Sequence, residues 1–242
     1  MADPTTYLLG LRASTADLVQ DLTAQQWSDA DVAAASLCGG WTRGHVLTHI
    51  ARNADGMSET LAGALRGEIV LRYPDGWEAR NAAIDEGARR PYAALVADVR
   101  DSADRLDRVF GAVADADGWE LPTEKGSRAD GWPLRRWREV EIHRLDLNSG
   151  YTPDRWPPLL VAEVLPTVAE TLGKRTDQAV HVTVTADGSL SGEHVGREWT
   201  AGRGSEPIDV RGPDWAILAW LVGRASVTGD ALSAAPELGE WA

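Results

Sequence analysis

The stretch WPLRRWREVEIHRLDL, Trp132 to Leu147, decides how the chain is read. Pro133 falls in a first helical turn, where its missing N–H costs little. At about 100° per residue, Glu139, His143 and Asp146 share one side of the predicted helix. Glu139 and His143 stand one turn apart, close enough to bind the same metal ion. The same spacing also fits an ordinary carboxylate–imidazole contact on a helix surface. Asp146 has two readings as well, a surface charge on the last turn or a carboxylate that orients His143. Glu141 points away from His143.

Outward from this stretch, three more long helices are expected. Tyr7, Leu8, Leu11, Leu18 and Leu22 form an apolar stripe over Pro4 to about Thr23. Ser28 reads as an N-cap, and Gly39-Gly40 breaks the chain. Thr42 caps a helix reaching about Arg66, with Val46, Ile50, Ala54, Met57, Leu61 and Leu65 as its stripe. Pro91 opens another, carrying Tyr92, Leu95, Val96, Val99, Leu106, Val109 and Phe110. Four such helices are the pattern of a bundle. Between Gly67 and Arg90 lies a long connection with a short helix onward to Ala88. Its Tyr73, Trp77 and Arg80 favour a functional role, since so long a connection inside a bundle is either functional or disordered.

The composition changes around Tyr151 to Pro158, which separates a domain of residues 1–155 from a smaller one of residues 156–242. Leu159 to Arg175 reads as a helix tolerating Pro166 with a kink or a late start. Val180 to Val184 alternates as a strand. Asp187-Gly188 is a turn, a second strand lies within Glu193 to Ala201, and Pro207 to Val210 is a third. Asp214 to Arg224 is helical, followed by a tail ending at Trp241. The fold class is mostly α with a smaller α+β part.

With 242 residues, 43% of them hydrophobic and 25% charged, the chain can bury a sizeable core. A formal net charge of −13 argues against nucleic acid and anionic membranes as partners. It leaves room for a small anionic substrate in a locally positive cleft. No apolar run approaches the ~20 residues of a membrane span. Met1-Ala2-Asp3-Pro4 has neither the basic nor the apolar part of a signal peptide, so a cytoplasmic location is expected. Assembly is expected to be a monomer or weak dimer. Cys38 is the single cysteine and nothing around it lowers its pKa, so a thiol used in chemistry would come from outside the chain. Eleven tryptophans stand against one phenylalanine, which makes tryptophan the large core filler, with some left to line a pocket.

His49 changes the meaning of Glu139 and His143. It sits on a different bundle helix, and facing helices are where bundles build metal sites. Two histidines and one glutamate leave a coordination position open, as a catalytic zinc site requires. His45, one turn earlier, competes for the same role. Arg80 and Arg224 read first as solvated charge or helix-terminal partners. Arg135, Arg136 and Arg138 likewise read as surface charge.

Taken in order, Gly40-Trp41-Thr42-Arg43-Gly44-His45-Val46-Leu47-Thr48-His49, Glu78-Ala79-Arg80-Asn81, Arg138 to Leu147 and Gly223-Arg224 resemble the mycothiol-dependent maleylpyruvate isomerase family. This family is a branch of the DinB-like metalloproteins. The resemblance implies an N-terminal DinB-like four-helix bundle and a small α/β C-terminal domain closing over the site. It implies a divalent metal, zinc by expectation, on His49, Glu139 and His143. It further implies mycothiol as cofactor, with Arg80, Arg224 and Asp146 near the reacting groups. The implied reaction is cis–trans isomerisation of maleylpyruvate to fumarylpyruvate in gentisate breakdown. There a thiolate adds to the double bond, the resulting single bond rotates, and elimination restores the alkene. The same scaffold resembles mycothiol S-transferases, which conjugate the thiol to an electrophile in detoxification or biosynthesis, and this is the alternative.

Overall fold

The computed structural model describes residues 2–186, 194–228, 232 and 235–239. It divides into two compact units, Met1–Ser149 and Gly150–Ala242. The expected turn at Asp187-Gly188 and the terminal Trp241 lie outside the described residues, as does Glu193 at the start of the second expected strand.

The first unit holds α1 (Pro4–Gln25), α2 (Asp29–Ala33), α3 (Arg43–Leu65), α4 (Gly76–Gly87), α5 (Tyr92–Asp115) and α6 (Trp132–Asp146). The four long helices close a ring, α1 packing on α5 and α6, and α3 on the same two. α1, α2 and α3 begin at side-chain caps. Asp3 accepts from the backbone N–H groups of Thr5 and Thr6 at the head of α1. Ser28 and Asp31 form a reciprocal capping box on α2. Thr42 accepts from the His45 N–H on α3, while the His45 ring lies 3.2 Å from the Thr42 backbone nitrogen through Nδ1. That cap engages the His45 ring, whereas the His49 ring meets Glu139 through Nε2.

Most residues predicted for the stripes are buried, among them Leu18, Leu22, Ile50, Met57, Leu95 and Phe110, while Leu65, Tyr92 and Val109 are half-buried. Trp137 on α6 lies across Gly10 of α1, where a Cβ would stand 2.3 Å from its ring. Its Nε1 donates to Ser14 Oγ at 2.7 Å inside the core, giving the buried indole its partner. Arg43, at the first turn of α3, donates to the carbonyls of Leu147 at 2.8 Å and Asn148 at 3.1 Å, just past α6. The two helices are therefore fastened at one end.

The connection after α3 carries the expected short helix, α4 spanning Gly76–Gly87 and packing on α3. A Cβ on Gly56 would stand 2.8 Å from the Arg72 carbonyl oxygen, so only glycine lets this segment lie so close to α3.

In the second unit, α7 (Pro158–Ala169) packs on α8 (Asp214–Leu221) beside a three-stranded sheet of order β2–β1–β3. β1 (Gln178–Val184) pairs antiparallel with β2 (Glu198–Ala201) and parallel with β3 (Arg203–Gly212), Val182 standing opposite Trp199 and Val210. Val180, Val182 and Val184 face the core, as their alternation requires. Pro166 lies within α7, and the helix ends at Ala169 rather than reaching Arg175. A short 3₁₀ turn at Leu172–Lys174 takes up the remainder. No helix among the described residues is long and apolar enough to cross a membrane.

Candidate metal centre

Three side chains from two facing helices converge in the first unit. His49 comes from the second turn of α3, and Glu139 and His143 come from consecutive turns of α6. One ligand atom from each lies within 4.8 Å of the others. Glu139 Oε2 is the hub, 3.1 Å from His49 Nε2 and 3.6 Å from His143 Nε2. Donors about 2.0–2.2 Å from a tetrahedral zinc stand roughly 3.3–3.6 Å apart, so these separations suit a shared ion. Two imidazoles and a carboxylate without a thiolate also match the donor chemistry of a site that keeps one position for an outside ligand.

The surroundings hold each donor. His143 meets Asp146 through Nδ1 at 2.9 Å, and Asp146 is 0% exposed. The imidazole is thus oriented from behind, and its Nε2 faces Glu139. Burial acts to lower the His143 pKa, but the contacts with Asp146 and Glu139 outweigh it, and the pKa is raised. Burial and the neighbouring His143 act the other way on His49, pulling it down to about 4. Glu139 is driven well below the usual carboxylate range, because hydrogen bonds from His143 and His49 overcome its desolvation. The two imidazole rings meet edge to face with centroids 4.5 Å apart.

Arg80 enters from α4. Its Nη2 lies 2.6 Å from His49 Nδ1, and its Nη1 donates to Asn81 at 2.8 Å. The guanidinium sits over Trp41 at 5.7 Å, Tyr73 at 5.7 Å and Trp77 at 5.5 Å, a three-sided aromatic surround. Among the described residues, its Nε is buried without a hydrogen-bond partner. A cleft of about 230 Å³ opens beside it, lined also by Arg52 and Arg72.

Of the residues expected from the sequence, His49, Glu139, His143, Asp146 and Arg80 are brought together. Arg224 belongs to the second unit, where its Nη1 donates to the Val222 carbonyl at 2.6 Å. The reading of Arg136 as surface charge is corrected. It is 2% exposed and donates to Ile50 O at 2.9 Å and Asn53 Oδ1 at 2.8 Å. Asn53, which donates to Glu139 Oε2 at 3.3 Å, was not anticipated as part of the site. Its spacing from His49, one turn on, was the only signal available.

A helical bundle presenting two imidazoles and a carboxylate from facing helices defines a class of bundle proteins with a His₂–carboxylate donor set. Residues 8–148 match the mycothiol maleylpyruvate isomerase N-terminal domain, and the chain belongs to that family. A crystal structure of the mycothiol-dependent maleylpyruvate isomerase is similar at 24% identity and a TM-score of 0.83, over 99% of this chain and 98% of that one. A histidine-to-alanine mutant of a mycothiol-dependent maleylpyruvate isomerase is similar at 24% identity and a TM-score of 0.81, with the same coverage. At that identity the likeness shows the fold. No curated protein matches the chain.

Proposed function

We propose that the chain is a mycothiol-dependent cis–trans isomerase acting on maleylpyruvate, with a divalent metal, zinc by preference, on His49, Glu139 and His143. The observation that supports this most is the convergence of those donors beside Arg80, within a domain of this family. A bound divalent metal would supply the Lewis acidity that makes a thiol available as thiolate near neutral pH. Everything else falls to the chain's own groups. His49, neutral down to about pH 4, offers a ring lone pair at working pH. Asp146 holds the His143 ring in register. Arg80 offers a fork for a substrate carboxylate or for the enolate charge that develops when a thiolate adds to the double bond. Arg224 is proposed as a second such cation. The rings of Trp41, Tyr73 and Trp77 hold the Arg80 guanidinium by cation–π attraction. No net oxidation occurs, since the same sulfur that adds to the alkene leaves it after rotation.

The test is turnover. Purified protein loaded with Zn²⁺ and given mycothiol should convert maleylpyruvate to fumarylpyruvate, and should lose this on metal removal. Absence of turnover with both present would reject the substrate. A stable thioether formed with a model electrophile, without isomerisation, would select the S-transferase reading instead.

A further inference from the structure

Asn53 and Arg136 lie outside the donor set, yet both are tied to it. Asn53 follows His49 by one turn on α3 and is 2% exposed. Its Nδ2 donates to Glu139 Oε2 at 3.3 Å, and its Oδ1 accepts from Arg136 Nη1 at 2.8 Å. The same guanidinium nitrogen donates to the Ile50 carbonyl at 2.9 Å, one turn back along α3. Arg136 therefore bridges from α6 to a main-chain group and a side chain of the helix that carries His49.

An asparagine amide has two opposite faces. Turned by half a rotation, it would present its oxygen to Glu139, and two acceptors would then meet. Arginine only donates, so a guanidinium fixed on Asn53 admits only Oδ1 on that side. Nδ2 is left for the carboxylate. Arg136 remains a cation at neutral pH, since burial lowers it only to about 10. A buried cation is expensive, and an apolar side chain of similar size often serves a core better. A role for this charge follows from what it touches.

We propose that Asn53 is a positioning residue for the metal-binding carboxylate of Glu139, and that Arg136 sets the sense of its amide. The inference rests on His49, Glu139 and His143 being metal ligands. Asn53 holds Glu139 from the α3 side as Asp146 holds His143 from within α6. Both donors of α6 are thus oriented by a buried polar neighbour. Such partners of metal ligands typically change metal affinity by about 10–100-fold when removed.

The test is Zn²⁺ affinity, read by competition with a chromophoric chelator, on full-length protein. Asn53→Ala should weaken Zn²⁺ binding by about 10–100-fold. Arg136→Met should weaken it in the same direction but less, although Arg136 touches no donor atom. Thr60→Val supplies the comparison. Thr60 is another buried polar residue of α3, 1% exposed, whose hydroxyl donates to the Gly56 carbonyl at 3.0 Å. It should lower thermal stability and leave Zn²⁺ affinity alone. Unchanged affinity in Asn53→Ala overturns the proposal, as does an equal loss in Thr60→Val. Should Asn53→Ala fail to fold, Arg136→Met decides, and unchanged affinity there overturns the proposal. A wild-type protein that takes up no Zn²⁺ overturns the donor set itself, a different and recognisable outcome.

Discussion

Arg80 Nη2 stands 2.6 Å from His49 Nδ1, on the ring nitrogen opposite the one that faces Glu139. Arginine cannot accept, so Nδ1 carries the lone pair and Nε2 carries the proton given to Glu139. A metal on Nε2 demands the reverse tautomer, with the proton on Nδ1. On the proposed donor set, Arg80 and a metal ion would therefore be alternatives on one imidazole, and loading the metal would free the guanidinium for an anion.

Arg80→Ala should consequently separate binding from turnover. Zn²⁺ affinity is expected to hold or tighten, because a competitor for His49 is gone. The isomerase kcat/KM should fall by about 10–100-fold, the scale of a lost charge-assisted hydrogen bond of ~1.5–3 kcal/mol. Chelator competition and steady-state kinetics on the same preparation check both halves. Parallel loss of metal and activity would contradict the exclusion of one by the other.

Metal uptake should release about one proton near pH 6. His49 is already neutral there and Glu139 already ionised, while His143 retains its proton through Asp146 and Glu139. Calorimetric titration in buffers of different ionisation enthalpy measures the number. Two protons, or none, would mean that the two imidazoles do not differ as the structure indicates.

The same difference fixes how stability follows pH. The His143 pKa is raised, so its contribution to the metal-free protein is full below the unfolded value of 6.5 and is lost as pH rises through the folded value. The His49 pKa is depressed, so its contribution is present above 6.5 and is lost as pH falls through about 4. Above pH 6.5 the His143 contribution is the one that changes. Zn²⁺, freed from proton competition, binds more tightly over the same range. The rise in Tm on adding Zn²⁺ should therefore be larger at pH 8 than at pH 6, as paired thermal melts would show.

Asp146→Asn keeps the size of the side chain and removes the charge behind His143. It should weaken Zn²⁺ by about 10–100-fold and lower the His143 pKa, observable by NMR titration of the ring. An unmoved ring pKa would place Asp146 outside the site.

Gly10→Ala tests the packing that brings α6 to its station. The new methyl would meet the Trp137 ring at 2.3 Å, and overpacking of this kind costs about 1–3 kcal/mol. Denaturant unfolding measures it, and a neutral result would mean that α1 and α6 can part without loss.

Much of this was legible in the sequence because helices declare themselves by period. The stripes of α1, α3 and α5 follow from spacing alone, whereas the spacing of Glu139 and His143 fitted an ordinary surface contact equally well. His49 gained meaning from a facing helix and from the family motif around Trp41 and Thr42. α4 was legible only as a short helix running to Ala88, without a stripe, because among its side chains only Ile84 is buried. Arg136 was misread, since three arginines within four residues look solvated until the fold turns one inward. Asn53 carried no charge and no motif. Its role exists only where α3 and α6 meet.

The clasp of Arg43 on the carbonyls beyond α6 bears on what the metal is for. In small zinc domains the ion is what makes the chain fold, so binding energy and folding energy are one quantity. Here the helices bearing the donors are already joined at one end by protein contacts and along their length by the buried Arg136. Removing an ion from the proposed site would leave that frame standing. A metal on the proposed donors would be a tenant of this bundle, and the affinity for it could be tuned by evolution or by an engineer without the fold being put at risk.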